Sequence, residues 1–336
     1  MLNRAPFMRD SSCMSSNPLS DVLELVRARC SLSGRLVAGG PWARRFANLY
    51  AIKFCAAMEG SCWCDIDGMG TPTRFEAGDV LVTNGTRSLL LASDPERLAT
   101  AETIPLERDP EGVYRLGAGS SFVMLGGMVH VDDRRQSLLL DGLPPMLHVK
   151  GTTSEAATIG WLLEQLTREM EHTDRPGRTV ILAELAQLLF VNTLRAYLVH
   201  APNHDAGWLK GLGDRRLACA LSCMHAEPQR PWGLGDLAKA AGMSRTSFAV
   251  RFREVMGMPP LAYLTHWRMH LAQRRLLAGA TVAEVADATG YTSESAFSHA
   301  FKRAMGVAPG RYRKATDAMD ETQSDGHGYA PIAGAF

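Results

Sequence analysis

Thr289-Gly290-Tyr291-Thr292-Ser293, then Phe297 and Phe301, then Gly306, is a pattern that this chain carries twice. The earlier copy reads Ala241-Gly242-Met243-Ser244, then Phe248 and Phe252, then Gly257. Each copy follows a short apolar pair, Leu237-Ala238 or Val285-Ala286. The layout predicts a short helix, a glycine turn and a second helix, which is the helix-turn-helix arrangement. Glycine suits the left-handed conformation at a helix C-terminus, so Gly242 and Gly290 are expected to stop the first helix of each copy. Ser244, and Thr292 or Ser293, stand where an N-cap is needed for the second. Thr281 with Glu284 has the spacing of a capping box. Phe248, Phe252 and Val255 share one face at spacings of four and three, as do Phe297, Phe301 and Ala304. Between the copies, Pro260 to Leu277 reads as one long helix with Leu264, Trp267, Leu271 and Leu277 as its apolar stripe. Arg268, Arg274 and Arg275 lie off that stripe. Two such units in one small domain imply docking into two neighbouring segments of DNA major groove.

Charge agrees with a polyanion partner. Residues 208–314 hold sixteen Lys and Arg against seven Asp and Glu, while residues 1–207 hold twenty against twenty-four. The whole-chain charge of +1 hides this asymmetry.

Gly290-Tyr291-Thr292-Ser293-Glu294-Ser295-Ala296-Phe297-Ser298-His299-Ala300-Phe301-Lys302-Arg303, with Gly306-Val307-Ala308-Pro309-Gly310-Arg311-Tyr312-Arg313, resembles the signature of AraC/XylS-family transcription regulators. Ser244 to Phe252 resembles that family's first recognition helix, and the likeness covers about a hundred residues. It implies two recognition helices on a long linker helix, double-stranded DNA and RNA polymerase as partners, and activation as the commoner outcome. Base edges must be reached from the side opposite the phenylalanines. That gives Arg245, Thr246, Ala249 and Val250 in copy one, and Glu294, Ser295, Ser298 and His299 in copy two. Relatives often carry a long polar residue at the position of Val250. Valine can touch a thymine methyl but cannot make bidentate bonds to a base, so copy one is expected to specify fewer bases. Arg251, Arg253, Lys302, Arg303 and Arg311 are assigned to phosphates, which position without specifying. Glu294 suits either cytosine N4 or the positive end of its helix.

The other half reads differently. Pro18 to Ala28 predicts a short helix, and from Ser33 to Val149 short strands alternate with Gly, Pro and Asp, as in a β-barrel or sandwich. Glu76-Ala77-Gly78-Asp79-Val80-Leu81-Val82 resembles a cupin turn and strand. Pro41-Trp42, Phe54, Gly60-Ser61-Cys62-Trp63 and Leu143 to Val149 resemble the cupin-type sensor fused to one subgroup of AraC-like regulators. Helical periodicity returns from Ser154, and the helix from Thr179 is apolar on more than one side, which suggests a dimerisation role. The expected fold class is α+β multidomain: an N-terminal cupin-like β-barrel with two trailing helices and a C-terminal all-α double helix-turn-helix domain. Its segments are a disordered N-terminus (1–18), a sensor (19–150), a helical pair (151–201), a linker (202–207), the DNA-binding domain (208–314) and a disordered tail (315–336). No leader or membrane segment is expected, so the protein is expected to be cytoplasmic; the helix from Thr179 makes it an expected homodimer, and without a clear His/Glu metal triad on the strands it is not expected to be an enzyme.

Seven cysteines in such a protein argue against a disulfide framework. If Glu59-Gly60 is a two-residue hairpin turn, Cys55 faces Cys64, with Cys62 on the same side. Three readings of that trio stand side by side. They are inert packing, an oxidant or electrophile sensor using a thiolate of lowered pKa, and a soft-metal site for zinc or copper completed by His130 or His148. Subgroup relatives often have histidine at the positions of Cys55 and Ser88, which argues against an ordinary histidine-bound metal. A small-molecule effector is the remaining kind of signal. The rivals from other classes are a cupin-type metal-dependent enzyme with an appended DNA-binding domain, and a ligand-free β scaffold for dimerisation.

Overall fold

The computed structural model describes residues 17–47, 51–103, 105–110, 112–131, 139–140, 142–172, 174–200 and 208–313. The expectations for the extreme N-terminus, the 202–207 linker and the tail fall outside the described residues. Two compact units are present: residues 26–200, and residues 17–25 together with 208–313.

The first unit is a curled nine-stranded sheet backed by two helices. Its strands are β1 (Arg29–Gly39), β2 (Ala43–Phe46), β3 (Ile52–Ile66), β4 (Thr73–Glu76), β5 (Val80–Thr83), β6 (Leu89–Ala92), β7 (Val113–Gly117), β8 (Phe122–His130) and β9 (Met146–Val149). The main path runs β2-β6-β3-β8-β1-β7, with β4 on β3 and with β5 between β3 and β9. Inward residues of successive strands fill the interior, among them Leu36, Phe46, Cys55, Cys64, Phe75, Leu91, Phe122 and Met124.

The expected hairpin at Glu59-Gly60 does not exist. β3 runs through it without turning, from Ile52 to Ile66. Its pairing with β8 instead slips by one residue between Ala57 and Glu59. Such a bulge bends a strand and raises its twist. Gly60 permits the bend: its φ is +70°, and a Cβ there would come within 1.9 Å of the Ser121 carbonyl oxygen. One strand therefore serves β8 and β5 with its first half, and β4 and β6 with its second.

The turn before β5 is held by Asp79, which is 3% exposed. Its Oδ1 accepts from Gly151 N (2.8 Å). Its Oδ2 accepts from Glu76 N (3.1 Å) and Lys150 Nζ (2.9 Å), and lies 2.8 Å from His148 Nε2. Burial would raise this carboxyl, but these bonds outweigh it and hold the pKa at about 2. The acidic turn that resembles a cupin motif is thus a clasp joining β5 to the end of β9.

Two helices follow, α2 (Ala156–Glu171) and α3 (Arg178–His200). α3 is long and apolar enough to cross a membrane by length and composition. Its Leu182, Ala186, Leu189, Phe190 and Leu194 are nonetheless buried within this unit, so it serves as a core helix. Trp161, Val180, Ile181, Leu188 and Val199 remain exposed.

The second unit is helical: α4 (Trp208–Gly213), α5 (Arg215–Ala226), α6 (Leu234–Ala240), α7 (Arg245–Met256), α8 (Pro260–Leu277), α9 (Val282–Ala288) and α10 (Glu294–Met305). It also contains the N-terminal helix α1 (Pro18–Leu25), which the sequence reading placed with the sensor. α1 ends three residues earlier than expected, and Arg27 just beyond it has a φ of +51°. Its Leu19, Val22, Leu23 and Leu25 are buried against α4, α5 and α8. Asp21 Oδ2 lies 3.2 Å from His225 Nδ1, and the other ring nitrogen is 2.8 Å from Tyr263 Oη. The His225 ring stacks on Trp267 at 3.7 Å. Burial lowers the histidine pKa in spite of Asp21, so the ring sits neutral in this stack.

Candidate nucleic-acid interface

Both helix-turn-helix copies form from their local signals. Ser244 Oγ accepts from Ser247 N and starts α7; Ser293 Oγ accepts from Ala296 N and starts α10. Thr281 and Glu284 make the reciprocal capping box at the start of α9. Gly257 and Gly306 end α7 and α10 in the left-handed conformation.

Phe248 and Phe252 are fully buried and pack edge-on at 5.5 Å, with Tyr263 of α8 beyond them. Phe297 and Phe301 enter a second core with Met269, Ala272 and Leu276 of α8 and Val285 of α9. α8 therefore gives Tyr263, Leu264 and Trp267 to one core and Met269, Ala272 and Leu276 to the other. The expected single stripe through Leu271 and Leu277 fails for that reason, since the buried face rotates as the helix passes between cores; both leucines are only half-buried. Ala304, also expected inward, is exposed, and Met305 packs on the core instead.

Burying the phenylalanines turns the opposite side outward. Arg245, Thr246, Glu294, Ser295 and His299 are exposed, and Ala249 and Ser298 are half-exposed. Val250 is 53% exposed, an apolar group held in water at the middle of a recognition helix. Glu294 is the first residue of α10, where a carboxylate meets the positive end of the helix dipole. Arg245 lies beside the start of α6, with its Nε 2.8 Å from where a Gly235 Cβ would sit.

Among the proposed phosphate contacts, Arg253, Lys302, Arg303 and Arg311 are exposed. Arg251 is engaged already: its Nε donates to Asp214 Oδ2 at 3.0 Å. Asp214 also caps α5 through Arg216 N and Leu217 N. Burial opposes ionisation of Asp214, but these donors hold its pKa below the ordinary value. Arg251 thus ties α7 to the foot of α5.

Sequence reasoning missed the loop from Glu227 to Gly233. Arg268 on α8 donates to the carbonyls of Pro228 (2.6 Å) and Arg230 (2.8 Å). Trp232 Nε1 donates to the Glu227 carbonyl at 2.9 Å, and the Arg230 guanidinium lies 4.0 Å over the Trp232 ring. Gly290 completes the seat, since a Cβ on it would come within 2.3 Å of the Gln229 carbonyl oxygen. The turn of copy two therefore rests on the loop leading into copy one. Only the long-range packing reveals this.

The cysteine expectations are corrected in part. Cys55, Cys62 and Cys64 do face one interior and are buried. Cys55 pairs across the sheet with Leu81 and Gly126, and Cys64 pairs with Thr73 and Leu91, so the two do not oppose each other. Burial pushes the Cys55 thiol up to about 11 and Cys64 to about 12, and raises Cys62 further. The charge of nearby Lys53 acts the other way on Cys55 without offsetting its burial. These are protonated thiols, the reverse of the activated thiolate that the sensor reading required.

Among the described residues, no group of three or more His, Cys, Asp or Glu is arranged to hold a metal. His148 is taken by Asp79, and His130 is exposed at 2.6 Å from Ser31 Oγ. Of the other described cysteines, Cys30 is free and buried, Cys219 is free and exposed, and Cys223 is buried and disulfide-bonded.

Comparison with known proteins adds to this geometry. Residues 17–199 match the Cupin family and residues 237–315 match the Helix-turn-helix domain family. The chain is 43% identical to an AraC-like transcription regulator of Streptomyces lividans, over 89% of this chain and 98% of that one. It is 40% identical to another from Streptomyces antibioticus with the same coverage. It is 30% identical to the HTH-type transcriptional regulator AlkR of Acinetobacter baylyi, over 82% of this chain and 92% of that one.

Proposed function

From a chain that belongs to the AraC-like transcription regulators, with a Cupin domain ahead of its helix-turn-helix domain, we propose a one-component regulator that reads two successive major-groove segments and answers to a signal received by the curled sheet. The observation that carries the reading is the paired set of outward residues, exposed Thr246 at the start of α7 and half-exposed Ser298 on the second turn of α10, each on a helix whose phenylalanines are buried. Arg245, Thr246, Ala249 and Val250 read one segment, and Glu294, Ser295, Ser298 and His299 read the other. Arg253, Lys302, Arg303 and Arg311 hold the backbone, with Arg251 acting chiefly through Asp214. Signal binding biases an equilibrium between DNA-binding states. The regulator acts in the cytoplasm, without a catalytic step, and engages RNA polymerase at its promoters.

Operator binding should weaken linearly in log affinity against log salt. Arg253→Ala, Lys302→Ala or Arg303→Ala should each flatten that slope by about one, equally for all sequences. Ser298→Ala should instead cost about 1 kcal/mol on the operator and little on random DNA. A flat salt dependence, or equal losses on both DNAs, would refute the reading.

The subunits pair through α3. Ile181, Leu188 and the half-buried Leu185 and Val191 form an outward apolar stripe with Glu184 and Arg195 at its borders. Antiparallel packing against a second copy would set Leu188 on the partner's Val191 and Glu184 beside the partner's Arg195, an isologous contact. Leu188→Asp should yield monomers in sedimentation equilibrium; an unchanged dimer would place the interface elsewhere.

A further inference from the structure

Of the four outward residues on α7, only one can fork onto a base. Ala249 and Val250 are apolar and Thr246 has a single hydroxyl, so a bidentate bond to guanine falls to Arg245. Arg245 is the first residue of α7 and is exposed. Among the described residues no hydrogen bond or ion pair reaches its guanidinium. A long side chain without such a bond spreads over many rotamers, and ordering it on DNA costs affinity. Its direction is set by packing instead.

That packing is against Gly235, the second residue of α6. A Cβ at this position would stand 2.8 Å from Arg245 Nε, 2.9 Å from Nη2 and 3.2 Å from Cζ. Those three nearest atoms belong to one guanidinium, so the group lies against the bare Cα. The backbone gives no reason for glycine here. The position is helical, and alanine is the better helix former. The start of α6 is fixed by another residue, Asp236, whose Oδ2 accepts from Gly233 N at 3.0 Å. An alanine at 235 would meet a movable side chain before any backbone. The fold can take that methyl, and Arg245 must leave its seat.

We propose that Gly235 is a specificity-determining position of the first helix-turn-helix copy: the space left by its missing side chain seats the Arg245 guanidinium and fixes the direction from which it reads a guanine. The assignment rests on the DNA reading above and adds a residue that no base touches. Gly235 is a positioning residue, acting only through Arg245.

The test uses the full chain. A duplex is selected from a randomised pool by the unmodified protein, and the guanine read by Arg245 is the base whose preference Arg245→Ala removes. Gly235→Ala should lower the preference for that guanine over adenine about fivefold or more. Affinity for a random duplex should stay the same, and the melting temperature should hold or rise. Combined with Arg245→Ala, Gly235→Ala should change base preference no further, since the two act as a unit. An unaltered guanine preference in Gly235→Ala would overturn the proposal. So would a loss shared equally by all duplexes, a loss that adds to that of Arg245→Ala, or a lower melting temperature, which would assign the glycine to packing. If Arg245→Ala itself leaves every base preference intact, the placing of Arg245 on bases fails, and the seat loses its purpose with it.

Discussion

Gly290→Ala is expected to destabilise the helical unit by roughly 3–5 kcal/mol, while Gly242→Ala, at the matching turn of the other copy, costs about 1–2 kcal/mol. Both glycines have positive φ, +77° and +62°. Alanine therefore pays the left-handed backbone cost at either site. The difference lies in what a Cβ would meet. At Gly242 nothing stands within 4 Å, whereas at Gly290 the Gln229 carbonyl oxygen is 2.3 Å away and the Gln229 Cα 2.9 Å. Those are backbone atoms of a loop fixed by Arg268 and Trp232, so they have little freedom to yield. Denaturant unfolding of the two variants checks the ranking. Operator binding should follow, with Gly290→Ala losing both half-contacts because the loop belongs to copy one and the turn to copy two. Equal effects of the two substitutions would show that the seat on Gln229 is soft.

The second large effect belongs to the other unit. Asp79→Ala should cost roughly 3–5 kcal/mol, the usual result of removing one partner from a buried charged network. Four donors would lose their acceptor at once: Glu76 N, Gly151 N, Lys150 and His148. The same carboxylate makes this unit sensitive to acid. Its folded pKa, about 2, lies below the ordinary 3.8. The stabilisation is therefore complete above about pH 4 and drains away as pH falls toward 2. Circular dichroism melts between pH 2 and 7 should show that loss, and Asp79→Asn should lose most of the dependence. An Asp79→Ala protein as stable as the parent would mean that the clasp between β5 and β9 is incidental.

How much of this was legible in the chain depends on the range of the forces involved. Caps and glycine stops act within one turn, so Ser244, Thr281, Glu284, Gly242 and Gly290 could be read directly, with Ser293 as one of two cap candidates, and with them both recognition helices. The buried phenylalanines followed from helical spacing, and the outward residues from the phenylalanines. Glu59-Gly60 misled because a glycine with positive φ serves a turn or a bulge equally well. The choice is made by Ser121 and β8, more than sixty residues away. The same holds for Arg251, whose partner Asp214 lies on no repeating pattern. The stripe on α8 was misread because one helix serves two cores. The cysteines were placed correctly on the inner face, but the choice among inert packing, sensor and soft-metal site could not be made there. Burial sets a thiol pKa, and alternation along a strand does not disclose how dry its inner side is.

The position of α1 bears on modularity. Residues 17–25 belong to the helical unit, yet only three residues separate α1 from the first strand of the curled sheet. The polypeptide consequently crosses between the two units twice, once near residue 26 and once after residue 200. A chimera that exchanges receptor halves at a single junction near residue 205 would import a foreign α1 and leave Leu19, Val22 and Leu23 without their native counterparts. Successful grafts between relatives should need two junctions, with the recipient keeping its own first helix.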